Sequence, residues 1–269
     1  MKNYIKKFLK YFPGWGREIA YYAINLNSGN TAAQNENIRI YPASSYKIFI
    51  AAEILKKCKN GELQLDQGIK LKDSYPVWAD IYPINSTTIA AGKTFTINIL
   101  LELMLRNSDN RASNSLVEQI GLDNAGRSFL EYAFGATQKY TDTIELGKKS
   151  MYSEKIAVSS KDLAEFMRYV FESGNSIAEK LKHLMLTSSP DGLLKNVIWQ
   201  KAGFLEAMPK TGPKLLRKFW CVRYKSQAAI VKSDDIYYAI GIMTKSNSLR
   251  QSKQIDLSVF QKAIEDKLR

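Results

Sequence analysis

The chain predicts an α/β plus all-α fold: a sheet built from both ends of the sequence, carrying terminal helices, with an all-helical lobe inserted between. Three observations predict it. Segments with strand periodicity and β-favouring residues lie only before residue 43 and after Pro190. Amphipathic helical segments fill the middle. No internal repeat or low-complexity stretch interrupts the 269 residues, so 1–269 reads as a single domain. Its α/β lobe covers about 1–43 and 191–269, and its helical lobe about 44–190.

The elements follow in order. Residues 2–12 read as a short amphipathic helix stopped by Pro13 and Gly14. EIAYYAINLNSG reads as a strand and turn, and ENIRIYP as a second strand. SSYKIFIAAEILKKCKNG reads as a helix beginning at Ser44 and closed by Gly61. Residues 62–95, with Pro76 and Pro83, read as irregular. TINILLELMLR, RASNSLVEQIG, AGRSFLEYAFG, SSKDLAEFMRYVFESG and SIAEKLKHLML form the helical series. Between Gly135 and Ser159 lies a long polar connection, ATQKYTDTIELGKKSMYSEKIAV. Long stretches without regular structure inside a compact domain are often functional. Beyond Pro190, GFLEAMPKTG, FWCVRYK, QAAIVKS and IYYAIGIMT read as strands, and residues 252–269 as a closing helix.

Composition excludes several functions. The chain is 45% hydrophobic, enough for a sizeable core. It has no apolar run of about 18 residues, so no transmembrane segment is expected. The basic start, MKNYIKKFLKYF, lacks the apolar stretch and cleavage site of a signal peptide. The protein is therefore either cytosolic or the trimmed form of a periplasmic or secreted one. Cys58, Cys221 and the single His183 make no zinc-type ligand set, and no metal or cofactor is expected. His183 sits in an ordinary amphipathic helix, AEKLKHLML, which argues against a Ser-His-Asp triad. The net charge of +13 is met either by a solvated basic surface or by an anionic partner. The basic and aromatic stretch PKLLRKFWCVRYK comes with no nucleic-acid motif, so no nucleic-acid partner is expected.

The chemistry begins at PASSYKIF. Residues three apart on a helix share a face, which pairs Ser44 with Lys47 at a helix N-terminus. Backbone N–H groups there favour a developing oxyanion. A lysine deprotonates a serine when burial or a cationic neighbour lowers its pKa, and Tyr46, Ile48 and Phe49 are apolar enough to bury it. A cap and a surface charge are the alternative, since serine caps helices well. Ser44 is the only serine with a lysine three residues on. Two further triplets follow in the chain: Ser108-Asp109-Asn110 between two helices, and Lys210-Thr211-Gly212 on an expected strand.

S-x-x-K, S-D-N and K-T-G in that order resemble the constellation of penicillin-recognising serine hydrolases. REIAYYAINLNSGN with YPASSYKIFIAAEIL is similar to the opening of class A β-lactamases. TINILLELMLRNSDNRASNSLVEQIG is similar to their central helix pair. The resemblance extends over nearly the whole chain after residue 17 and implies their two-lobe fold, with an antiparallel sheet. It implies Ser44 as the acylated nucleophile and Lys47 as its base or proton relay. Ser108 then passes the proton to the leaving nitrogen, helped by Lys210. Asn110 binds the substrate's side-chain amide, and Lys210, Thr211 and Gly212 bind its carboxylate. The implied partner is a small β-lactam or other acyl substrate carrying a carboxylate.

The resemblance breaks at two places. The family's deacylating glutamate falls on the long polar connection, where Asp142 and Glu145 stand. One alignment makes Glu145 the base that activates water; another shifts the register and puts Thr143 there. The asparagine that follows in the family has no counterpart. The residue after K-T-G, which lends its N–H to the oxyanion hole, is Pro213, and proline has no N–H. Losing one such donor typically slows acylation by about 10²–10³. Arg217 and Arg223 are candidates for a further carboxylate contact, and Trp78 and Tyr82 for an aromatic wall; surface or core packing is the favoured reading of all four. Three functions are therefore expected in order. The first is a serine β-lactamase. The second is a penicillin-binding, peptidase- or esterase-like relative with slow deacylation. The third is a non-catalytic binder of an anionic ligand.

Overall fold

The computed structural model describes residues 18–40, 42–72, 89–120, 158–185, 197–207 and 222–246, together with Leu268. In chain order the elements are β1 (Glu18–Asn25), β2 (Thr31–Gln34), a 3-10 turn (Ala43–Tyr46), α1 (Lys47–Lys59), β3 (Gly68–Lys70) and β4 (Thr94–Thr96). Then come α2 (Ile97–Arg106), α3 (Asn110–Ile120), α4 (Ser160–Glu172), α5 (Ser176–Met185), β5 (Val197–Ala207), β6 (Val222–Ser233) and β7 (Ile236–Ser246). Among these residues no helix is long and apolar enough to cross a membrane. The chain forms two compact units. One takes Met1–Ser45, Val158–Arg168 and Asp191–Arg269; the other takes Tyr46–Ala157 and Tyr169–Pro190. Val158–Arg168, expected in the helical lobe, thus clusters with the sheet.

The first unit holds a five-stranded sheet of order β2-β1-β7-β6-β5, with every pair antiparallel. Opposed residues of antiparallel strands share a face. One face carries Tyr21, Ala23, Ala229, Val231, Tyr238, Ile240 and Ile242, buried together with Ala32 and Leu268. There burial holds the Tyr21 hydroxyl protonated up to about 12, with the charge of Glu36 adding to the effect. The opposite face carries the rows Tyr22–Gly241–Ala228–Lys201 and Ala20–Met243–Ser226–Gly203. A Cβ on Gly241 would stand 2.0 Å from the Ser160 carbonyl oxygen and 2.9 Å from the Ala164 nitrogen. Helix α4 therefore lies directly on this face at Gly241, a strand position without a side chain. Its start is a reciprocal cap: the Ser159 N–H donates to the Asp162 carboxylate, and the Asp162 N–H donates to the Ser159 hydroxyl. Burial raises the pKa of Asp162, against the lowering effect of those Ser159 bonds.

The second unit packs α1, α2, α3 and α5 against one another. Helix α1 is buried at every position from Lys47 to Leu55, the pattern of a central helix. Its last turn closes at Gly61, with a φ of 78° that glycine adopts freely. Helix α2 buries Ile97, Leu100, Leu101, Met104 and Leu105, one stripe at helical spacing. Each such side chain contributes about 1.5–3 kcal/mol on leaving water.

Two sequence expectations are corrected. ENIRIYP is not a strand. Asn35 turns with a φ of 54°, Ile38 donates back to the Asn35 carbonyl, and among its described residues only Ile40 makes a bridge, to Val158. The span expected to be irregular contains the short β3–β4 pair. The helices expected at 2–12 and 125–135, all but Leu268 of the helix expected at 252–269, and the long polar connection up to Val158 lie outside the described residues.

Candidate active site

In the second unit, one lysine gathers two of the sequence motifs. Lys47, the first residue of α1, is fully buried. Its Nζ donates to the Ser108 carbonyl at 2.7 Å, to the Ser108 hydroxyl at 3.2 Å and to the Asn110 Oδ1 at 2.8 Å. The S-x-x-K lysine and both polar ends of Ser108-Asp109-Asn110 are therefore in direct contact. The middle residue is structural. The Asp109 side chain accepts the Ala112 N–H at 2.9 Å and caps α3, and the Asp109 carbonyl accepts the Ser113 hydroxyl. Leu103 O accepts both the Asn107 and the Asp109 N–H, so the turn leaves α2 abruptly with Ser108 at its bend.

Backbone strain marks the same places. Four non-glycine residues among those described have positive φ: Asn35, Ala43, Ser108 and Asp234. Asn and Asp visit this left-handed region readily; alanine and serine do so at a cost of about 1–3 kcal/mol. The two costly positions, Ala43 at 46° and Ser108 at 56°, are the residue before Ser44 and the first residue of the Ser-Asp-Asn turn.

In the first unit, Ser44 is half-buried on the 3-10 turn that leads into α1. Its neighbour Ser45 is fully buried, and its hydroxyl donates to the Pro42 carbonyl at 2.8 Å. The Ser226 hydroxyl of β6 lies 2.9 Å from the Ser45 hydroxyl and also contacts the Pro42 carbonyl. Of the two adjacent serines, Ser45 is committed to holding the turn. Opposite Ser226 on the edge strand is Gly203, and two residues before it is Lys201, fully buried. Burial pushes the Lys201 ammonium down to about 8. Nothing in the sequence reading singled out Ser226 or Lys201; the signal available was a lysine within the mostly apolar stretch VIWQKAG.

Glu145, Lys210, Thr211, Gly212 and Pro213, with Trp78, Tyr82 and Arg217, lie outside the described residues. His183 is exposed on α5, as an ordinary amphipathic helix places it. No group of three or more His, Cys, Asp and Glu able to hold a metal is present among the described residues.

The chain is similar to known proteins in sequence and in fold. A β-lactamase of Bacillus subtilis (strain 168) is 32% identical over 117 residues, 43% of this chain and 36% of the relative. The β-lactamase SME-1 of Serratia marcescens is 31% identical over 116 residues, 43% of this chain and 37% of the relative. The matched region is thus well under half the length of these relatives. In fold, a β-lactamase from Chitinophaga pinensis aligns with a TM-score of 0.73 at 13% identity, over 100% of this chain and 99% of that one. A mutant of PBP-A, solved as an acyl-enzyme complex with penicillin G, aligns with a TM-score of 0.71 at 16% identity, over 98% and 96%. The sequence profile of the β-lactamase enzyme family matches residues 1–262, and this chain belongs to that family.

Proposed function

We propose that the chain is a serine hydrolase of the class A β-lactamase type, acylated at Ser44 by a β-lactam that carries a carboxylate. The observation that carries this reading is the buried Lys47, bonded to Ser108 and Asn110 three residues after a half-buried serine. In the first step the Ser44 oxygen attacks the lactam carbonyl carbon. Its proton passes to Lys47, once that lysine has lost a proton to solvent and with it one of its three donated bonds, and the C–N bond of the ring breaks. The Ser108 hydroxyl gives its proton to the leaving nitrogen and regains one from Lys47, whose Nζ is 3.2 Å away. Water then hydrolyses the Ser44 ester, with Glu145 as the proposed base. Such substrates place the protein outside the cytoplasmic membrane.

Intact mass after brief exposure to a penicillin, with substrate loss followed optically, tests this. The expected result is turnover, or an adduct of penicillin mass, that disappears in Ser44→Ala. A lasting adduct without turnover assigns the slow-deacylating, penicillin-binding function instead. Absence of both overturns the acylation proposal. Ser108→Gly separates chemistry from folding. Relief of the left-handed strain offsets the lost hydroxyl contact, so stability is expected within about 1 kcal/mol of the parent. Acylation is expected to fall about 10²-fold. Thermal melts and labelling rates of the same sample check both.

A further inference from the structure

We propose that the cation serving the Ser44 site from the sheet is Lys201, in the triplet Lys201-Ala202-Gly203, and that Lys210-Thr211-Gly212 is not part of that site. The proposal rests on acylation at Ser44.

The argument is one of register. The Ser226 hydroxyl touches the Ser45 hydroxyl and the Pro42 carbonyl, so the row of the sheet that meets the Ser44–Ser45 turn is the row of Ser226. The residue of β5 in that row is Gly203. Lys201 pairs with Ala228, one row along and on the same face as Ser226. By Ala207, paired with Val222, the strand has already moved four residues past that row. At about 3.3 Å per residue this is roughly 13 Å along the strand.

Three further observations agree. The triplet has the same lysine-to-glycine spacing as Lys-Thr-Gly. Lysine is rarely fully buried, and Lys201 is fully buried on the face that meets the serine turn. The desolvation that lowers its pKa also strengthens its field on a nearby developing anion. The residue after this triplet is Phe204, which has a backbone N–H where Pro213 has none. The oxyanion difficulty raised by Pro213 then disappears, because Pro213 follows the wrong triplet.

The test compares Lys201→Met and Lys210→Met in the full chain, using a fluorescent penicillin and intact mass as readouts. The expected result is a fall of 100-fold or more in acylation rate for Lys201→Met, and a change of less than threefold for Lys210→Met. A merely structural Lys201 would lose stability and activity together. Here acylation by Lys201→Met is expected to fall by that factor at temperatures where its melting curve shows the variant folded. Loss of labelling in Lys210→Met overturns the proposal, and this arm decides the matter even where Lys201→Met does not fold. Normal labelling of a folded Lys201→Met overturns it as well. An unlabelled parent chain removes the acylation reading, and this proposal with it.

Discussion

Replacing Lys47 by methionine is expected to slow acylation of Ser44 by about 10³-fold or more. Methionine fills much the same space but can neither accept the serine proton nor hold Ser108. Three acceptors lose their donor: the Ser108 carbonyl, the Ser108 hydroxyl and the Asn110 Oδ1. A buried acceptor left unpaired destabilises by about 1–3 kcal/mol, so the melting temperature falls too. Labelling rates are therefore compared well below the melting temperature of the variant. Lys47→Arg sharpens the result. Arginine supplies donors to the same oxygens but does not give up a proton in proteins, so it is expected to be as slow as methionine. Labelling within tenfold of the parent by either variant would remove Lys47 as the base.

The second large effect is on folding. Gly241→Ala is expected to destabilise the chain by about 3 kcal/mol or more, because overpacking against backbone leaves nothing soft to yield. The new Cβ would lie 2.0 Å from the Ser160 carbonyl oxygen, with the Ala164 nitrogen and the Leu163 Cβ both at 2.9 Å. Either α4 lifts off the sheet or β7 bends. Denaturant unfolding measures the loss, and a midpoint within 0.5 kcal/mol of the parent, on the order of an ordinary surface change, would mean that the helix moves aside easily. Alanine at a neighbouring solvent-facing position serves as the comparison.

Much of this fold was written in periodicity. α2, α4 and α5 bury stripes at helical spacing, and β1, β6 and β7 alternate between two faces, so their patterns predicted them. ENIRIYP also alternates, yet the left-handed Asn35 turns it out of the sheet; a turn residue won over a two-residue pattern. FWCVRYK and QAAIVKS read as two strands, but β6 runs through Lys225 and Ser226 without a break. Pairing on both sides of the strand overrides the polar residues at its middle. The direct hydrogen bonds from Lys47 to Ser108 and Asn110 were not expected, although the motif resemblance made their grouping in one site legible. The Ser45–Ser226 hydroxyl contact was not. It depends on which row of the sheet meets the turn, and register is a property of pairing rather than of spelling. The same reason hid Lys201, whose triplet has alanine where a motif reader looks for threonine.

The position of β1 between β2 and β7 has a consequence for how the chain is made. Glu18 pairs with Lys245, so one side of β1 must wait for the last strand to be synthesised. At about 5–20 residues per second that wait is roughly ten seconds or more. Meanwhile β1 has only the four-residue β2 beside it, and a two-stranded hairpin is marginal in water. The helical contacts among α1, α2 and α3 are closer in sequence and form early. The nascent protein thus passes through a stage with its helices assembled and an apolar strand edge of Ile19, Tyr21 and Ala23 open to other chains. An open strand edge of this kind is a template for pairing with another nascent copy until β7 arrives.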